Sequence, residues 1–531
     1  MKLRNTLLAA SAVMAMLAGG VQAKTLVYCS EGSPEGFDPA PYTAGTTFDA
    51  SSRTIYSRLV EFAPGTTNLV PGLAESWTIS DDGLEYTFKL RPGVKFQTTD
   101  YFTPTRDLNA DDVIFSFDRQ GNKDNPFNQY VPGVSYEYYT GMGLDSMIKS
   151  IEKVDDLTVK FTLNAPNAPF LADLGMDFAS IVSKEYADKL MAEGKAADFN
   201  NQPIGTGPFQ FVAYQKDAVI RYKANPDYFG TKPHIDDLVF AITTDAAVRA
   251  QKLRANECQI MPYPAPADID GLKADPNLTM MEQPGLNVAY LAYNTQVAPF
   301  DDVRVRKALN MAINKQAIID AVFQGTGIVA KNPIPPTMWS YNDAIKDDPY
   351  DPEAAKQMLA DAGVTDLHMK IWAMPVQRPY MPNARRTAEL MQADLAKIGV
   401  TADIVSYEWG EYLKKSTDVN RDGAVILGWT GDNGDPDNFM NVLLSCNGIG
   451  GSNRAQWCDK DFQALLDKAA ATSDVAERTK LYEQAQVIFK EQAPWLTIDH
   501  STVFMPMSNK VTGYVMSPLG SHDFSNVDIT E

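Results

Sequence analysis

Two short segments of this sequence set one charge among aromatic and glycine residues, a pattern suited to holding a small charged molecule. The first runs Trp429-Thr430-Gly431-Asp432-Asn433-Gly434-Asp435-Pro436-Asp437-Asn438 and directly follows the apolar stretch Ala424 to Leu427, which puts it at a strand end. Strand ends in α/β domains are where ligands bind. Trp supplies a flat apolar wall, Gly lets a ligand approach the backbone, and Asp can hold an amine. The plainer explanation is an acidic surface turn. The second segment, Trp372-Ala373-Met374-Pro375-Val376-Gln377-Arg378-Pro379-Tyr380, follows the predicted strand His368 to Trp372. It brings one Arg into an apolar and aromatic loop. A guanidinium is a planar fork that matches a carboxylate; here the plainer explanation is a surface salt bridge.

Covalent and metal chemistry find little support. The histidines, His234, His368, His500 and His522, are not within metal-ligand spacing of one another, and no HExxH or CxxC occurs. There is no G-x-x-x-x-G-K-[ST] phosphate loop and no G-x-S-x-G elbow. Ser146-Met147-Ile148-Lys149 matches S-x-x-K, but no S-D-N or K-T-G accompanies it, so a helix-surface Ser and Lys is expected. Asp418 to Gly423 begins like a calcium loop. Its twelfth position is Trp429 where a bidentate Glu is required, so a tight turn is the better reading.

The elements that must position these residues alternate between strand and helix. Tyr86, Phe88 and Leu90 fall on one side of Glu85 to Leu90, as in a half-buried strand, and Leu157 to Leu163 alternates likewise. Val305, Ala308, Leu309, Ala312 and Ile313 share a helical face behind Asp301 and Asp302. Asp351-Pro352 offers an N-cap with Pro at the first helical position, and Gly363 a stop. Helices are expected over Asn383 to Lys397 and, as a pair, over Phe462 to Lys490, with a strand at Thr401 to Tyr407. Pro284-Gly285, just before the apolar stretch Leu286 to Tyr293, is the best candidate for a boundary. It is too short and too poor in Ser and Gly for a flexible linker, and reads better as a hinge.

The chain has 531 residues, enough for two or more packed units, and 44% hydrophobic with 21% charged residues is a globular composition. A net charge of −20 repels nucleic acid and anionic lipid, which excludes both as partners. Lys2 and Arg4, the apolar run Leu7 to Gly20, and Val21-Gln22-Ala23 read as a secretory signal peptide cleaved after Ala23. The run is too short to span a bilayer, and no Cys stands at the cleavage site, so no membrane anchor is expected. Cys29, Cys258, Cys446 and Cys458 are an even number in an exported chain, which points to disulfides. Three pairings are possible; the short spacing of Cys446 and Cys458 would leave Cys29 to join Cys258.

Longer motifs carry a family resemblance. Leu73-Ala74-Glu75-Ser76-Trp77, Asp82-Gly83 and the run Tyr86 to Phe96 (Y-T-F-K-L-R-P-G-V-K-F) resemble the signature of family 5 extracellular solute-binding proteins. Asn109 to Val113, Gly205-Thr206-Gly207-Pro208-Phe209 and Val303 to Ala308 are similar too. W-A-M-P-V-Q-R-P-Y, Y-E-W-G-E-Y and W-T-G-D-N-G-D-P-D-N-F are shared nearly letter for letter with the dipeptide-carrying branch of that family.

The resemblance implies an α/β, two-lobed periplasmic binding protein of the large peptide-binding type, with a hinge and a ligand cleft between the lobes. One lobe would comprise 24–284 plus 502–531, the other 285–501, with 1–23 the signal peptide. Asp432 would hold a peptide ammonium and Arg378 its carboxylate. Thr43, Ala44 and Gly45 would touch the ligand from the large lobe; Arg378, Pro379, Tyr380, Trp429, Thr430, Gly431 and Asp432 would do so from the other. Trp409, in Y-E-W-G-E-Y, would line the cleft. Ala44 departs from relatives that carry Ser there. The implied disulfides are Cys29–Cys258 and Cys446–Cys458. The implied role is a monomeric periplasmic carrier that is not an enzyme, needs no cofactor or metal, and hands dipeptides to the permease subunits of an inner-membrane ABC transporter. Longer peptides, haem or a metal chelate are rival cargoes on the same fold, and a secreted peptidase is the rival from another class.

Overall fold

The structure, a computed structural model, describes residues 23–530. Residues 1–22 of the expected signal sequence 1–23 lie outside the described residues. The alternation at Glu85–Leu90 becomes a strand with Tyr86, Phe88 and Leu90 buried and Glu85 and Lys89 exposed. It sits between Ala74–Ile79 and Thr158–Leu163, and Ile148–Asp155 completes an antiparallel four-stranded sheet. The helix Ala110–Gly121 is started by Asn109, whose side chain accepts from Asp111 N–H while Asp112 accepts from Asn109 N–H. This reciprocal cap satisfies two otherwise orphaned donors. A second four-stranded sheet joins Thr25–Tyr28, parallel, to Asp237–Ala241, then Val219–Ala224 and Phe209–Gln215.

The third sheet carries the segments singled out above. Its order is Leu278–Pro284, Trp495–Ser508, Asn287–Tyr293, Ala424–Thr430, His368–Trp372, Thr401–Val405, with Gly327–Val329 also on Trp495–Ser508. Every residue of Asn287–Tyr293 is buried, as expected of a strand covered on both faces. The flanking helices begin at the anticipated caps: Asp302 for Val303–Ala312, Asp351 for Pro352–Asp361 and Asn383 for Ala384–Lys397. The helical stretch after Asp459 is two helices, Lys460–Ala470 and Val475–Gln492. One expectation shifts: the strand Ala424–Thr430 runs through Trp429 and Thr430, so the loop starts only at Gly431. The tryptophan and threonine side chains are thereby held by sheet pairing with Val288 and Asn287.

The strand Trp495–Ser508 pairs with Asn287–Tyr293 through its first residues and with Leu278–Pro284 from Thr502 onward. Two chain crossings therefore lie side by side. Gly285 N–H donates to Ser501 O at 2.9 Å, and Ser501 N–H donates to the Asn287 side chain at 2.9 Å. A Cβ on Gly285 would stand 2.4 Å from Ser501 O, so the close approach requires glycine there. Two disulfides, Cys29–Cys258 and Cys446–Cys458, have Cα separations of 5.8 and 4.6 Å. Among the described residues no helix is long and apolar enough to cross a membrane.

Candidate ligand-binding site

A cavity lies where these sheets and loops face one another. One wall is made by Thr43, Ala44 and Gly45, by Phe48 and Asp49 on the helix Gly45–Ala50, and by Asp177, Tyr263 and Leu519 to Ser521. The other is made by Tyr290, Arg378 to Tyr380, Trp409, Leu413, Leu427 to Thr430, Asp432, Ser452 and Arg454. The cavity bounds about 780 Å³ of space free of protein atoms, open mouth included. Of the residues singled out from sequence, all but Gly431 line it. Gly431 faces the other way: a Cβ there would meet Phe439 at 2.7 Å and Leu286 at 2.8 Å. Glycine there admits the close approach of Phe439 and Leu286.

The loop after Thr430 is fixed by a few polar bonds. Asn438 Oδ1 accepts from the Trp429 indole N–H at 3.0 Å and from Asp432 N–H at 2.8 Å, tying wall and carboxylate together. The Arg478 guanidinium grips both oxygens of Asp435 at 2.7 Å. Asn433 donates to Asp173 at 2.8 Å, across to the opposite wall. The Asp432 carboxylate accepts from the Tyr138 hydroxyl at 2.7 Å. Burial pushes its pKa up to about 7, against the Tyr138 hydrogen bond and helped by the nearby Asp177 charge. A buried carboxyl poised this way gains a great deal from a ligand cation.

Arg378 sits in a tight turn around Pro379-Tyr380, where Arg378 and Met381 exchange backbone hydrogen bonds of 3.1 and 3.0 Å. The neighbouring Gln377 is held from the other wall by Arg249, at 2.8 Å. The Arg378 side chain is 8% exposed, lies over the Tyr263 ring at 5.7 Å, and donates from Nη1 to Glu31 Oε1 at 2.5 Å. Burial works against its charge, but Glu31 and the surrounding tyrosines outweigh it and hold the guanidinium pKa above its ordinary value. Gly45 is its neighbour: a Cβ there would stand 2.9 Å from Arg378 Nη2. Asp49 is pushed well above the usual carboxylate range, first by burial and then by Glu31. His522, which donates its backbone N–H to Asp49, is driven by burial down to about 3 and is neutral.

Sequence reasoning missed Glu31, Tyr138, Asp49, Asp177, Tyr263 and Arg454. None stands in a segment with a chemical signature of its own. Glu31 and Arg378 are 347 positions apart, and Tyr138 and Asp432 are 294 apart. Ser146, the S-x-x-K serine, spends its hydroxyl on Gly143 O at 3.0 Å, away from this cavity. Asp422 of the calcium-like turn pairs with Lys370 at 2.6 Å. Among the described residues no group of three or more His, Cys, Asp and Glu could hold a metal ion.

A mixed α/β chain folded into two lobes around a cavity with an anion and a cation on its lining is a solute-binding protein of the periplasmic type. The profile of the bacterial extracellular solute-binding proteins, family 5, matches residues 68–451. The chain belongs to that family. It is 60% identical to the dipeptide-binding protein of Escherichia coli K12, over 98% of this chain and 97% of that one. It is 54% identical to di/tripeptide-binding protein 1 of Pseudomonas aeruginosa UCBPP-PA14, over 96% and 94%. Among solved structures, the dipeptide-binding protein of Pseudoalteromonas sp. SM9913 in complex with Met-Leu superposes with a TM-score of 0.92 at 40% identity. It covers 96% of this chain and 100% of that one.

Proposed function

We propose that this protein captures dipeptides between its lobes and delivers them to the permease subunits of an ABC importer. Asp432 takes the peptide ammonium and Arg378 its carboxylate. Thr43 to Gly45 contact the ligand from one wall; Pro379, Tyr380, Trp409, Trp429 and Thr430 do so from the other. The observation that carries this reading is that the half-buried Asp432 carboxyl and the buried Arg378 guanidinium, from separate loops, line the same cavity, along with Asp49, Asp177 and Arg454. The names of the relatives support the same cargo. The Trp409 indole N–H and the Thr430 hydroxyl are buried without a protein partner, and a ligand backbone offers both an acceptor and a donor.

The physical logic is selection by charge separation. A dipeptide carries opposite charges at a nearly fixed distance, and Asp432 and Arg378 offer each end a charge-assisted hydrogen-bond partner. Water exclusion strengthens each charge-assisted bond and penalises an unmatched charge. Side chains differ between dipeptides, so specificity rests on termini and backbone. The lobes are 24–284 with 502–531, and 285–501, and the paired crossings at Gly285–Asn287 and Ser501 form the hinge. Ligand favours the closed form, which the transporter reads. Nothing in this cycle breaks a covalent bond. The mature protein is a monomer in the periplasm, exported by a signal peptide cleaved after Ala23.

Calorimetry tests the reading. A free dipeptide is expected to bind, and its N-acetyl derivative, which lacks the ammonium, to bind at least about 100-fold more weakly, on the scale of leaving one buried charge unpaired. Equal affinity for the two would refute it. Release of free amino acids during the incubation would instead identify a peptidase. Gly45→Ala is expected to weaken dipeptide binding by about 1–3 kcal/mol, because the added methyl must displace a pinned guanidinium. Circular dichroism of the variant should match the parent.

A further inference from the structure

We infer that Glu31 is a built-in counter-ion that frees Arg378 from needing a ligand carboxylate, so that the cleft also accepts peptides whose C-terminus is uncharged. This rests on the reading of the cavity as a dipeptide site. Glu31 is 1% exposed and pairs with Nη1 of Arg378 from the opposite wall of the cleft. Its other oxygen, Oε2, is buried without a hydrogen-bond partner. The remaining charged groups nearby are otherwise engaged. Arg249 is buried but donates to the carbonyls of Thr243, Thr244 and Tyr263 and to Gln377. Asp49 accepts from the His522 backbone.

A lone buried guanidinium would make every closed state without a carboxylate ligand strongly unfavourable. With Glu31 in place the pair is neutral before any ligand arrives. A peptide carboxylate then adds a charge-assisted bond to Arg378, while a carboxamide or the next residue of a longer chain leaves no charge stranded. Glu31 touches Arg378 and is absent from the cavity lining, so it is a positioning residue for the tolerance of the site.

The test compares dialanine with dialanine amide by calorimetry, on the full mature chain and on Glu31→Gln. The amide-to-acid ratio of dissociation constants is expected to be small in the parent and at least about tenfold larger in E31Q, where the guanidinium loses its counter-charge and the amide cannot replace it. A structural role alone would weaken both ligands together and leave the ratio unmoved. Glu31→Asp keeps the charge but draws it back, and should give an intermediate ratio; it serves equally if E31Q does not fold. A ratio that is the same in the parent and the variants overturns the role of Glu31 while leaving dipeptide capture intact. Failure of the parent to bind dialanine overturns the dipeptide reading and this inference with it.

Discussion

Replacing Arg378 with alanine is expected to abolish most dipeptide affinity, by about 3–5 kcal/mol or roughly 100- to 1,000-fold and more. Two effects add. The ligand carboxylate loses its cationic partner on this loop, and Glu31 is left as a buried carboxyl without its guanidinium. An incoming carboxylate then meets like charge where it used to meet a fork of donors. The double variant Arg378→Ala with Glu31→Gln removes that repulsion and should recover part of the loss. Calorimetry on the parent, the single variants and the double variant separates the two effects as a coupling energy. An Arg378→Ala protein that binds dipeptides as tightly as the parent would remove Arg378 from the site.

Asp432→Asn is expected to weaken binding on the same scale, and to change its pH dependence as well. Burial holds the Asp432 carboxyl near 7. A bound ammonium favours the ionised form, so the complex has the lower pKa and ligand expels a proton between that pKa and about 7. Affinity of the parent should therefore fall as pH drops through 7, by up to about tenfold per unit. Above 7 it should stay level until the ligand amine itself loses its proton near 8. Asp177, which also lines the cavity, is paired with Arg53 at 2.9 Å. The asparagine variant, uncharged throughout, should show no slope below 7. A parent whose affinity is flat from pH 5 to pH 7 would contradict the buried-carboxyl argument.

Most of the fold was legible in the chain because its signals are local. Alternation at Glu85–Leu90 reports a half-buried strand, and the Asp351-Pro352 and Asn383 caps report where helices begin. The charged loop residues were legible too: a single Arg or Asp among aromatics and glycines is chemically conspicuous. Gly431 is one more glycine of a ligand-like loop in sequence; in space a Cβ there would also meet Leu286 and Phe439.

The chain alone determined the mixed α/β class, the family motifs and the two charges, since periodicity, capping and residue type act within a few positions of themselves. Tertiary structure alone decided what faces those charges. Tyr138 on Asp432, Glu31 on Arg378 and the clasp of Asn287 with Ser501 join segments hundreds of residues apart. A lone Glu or Tyr has no period and no motif, and its partner is fixed only when two lobes bring distant backbone within hydrogen-bond reach.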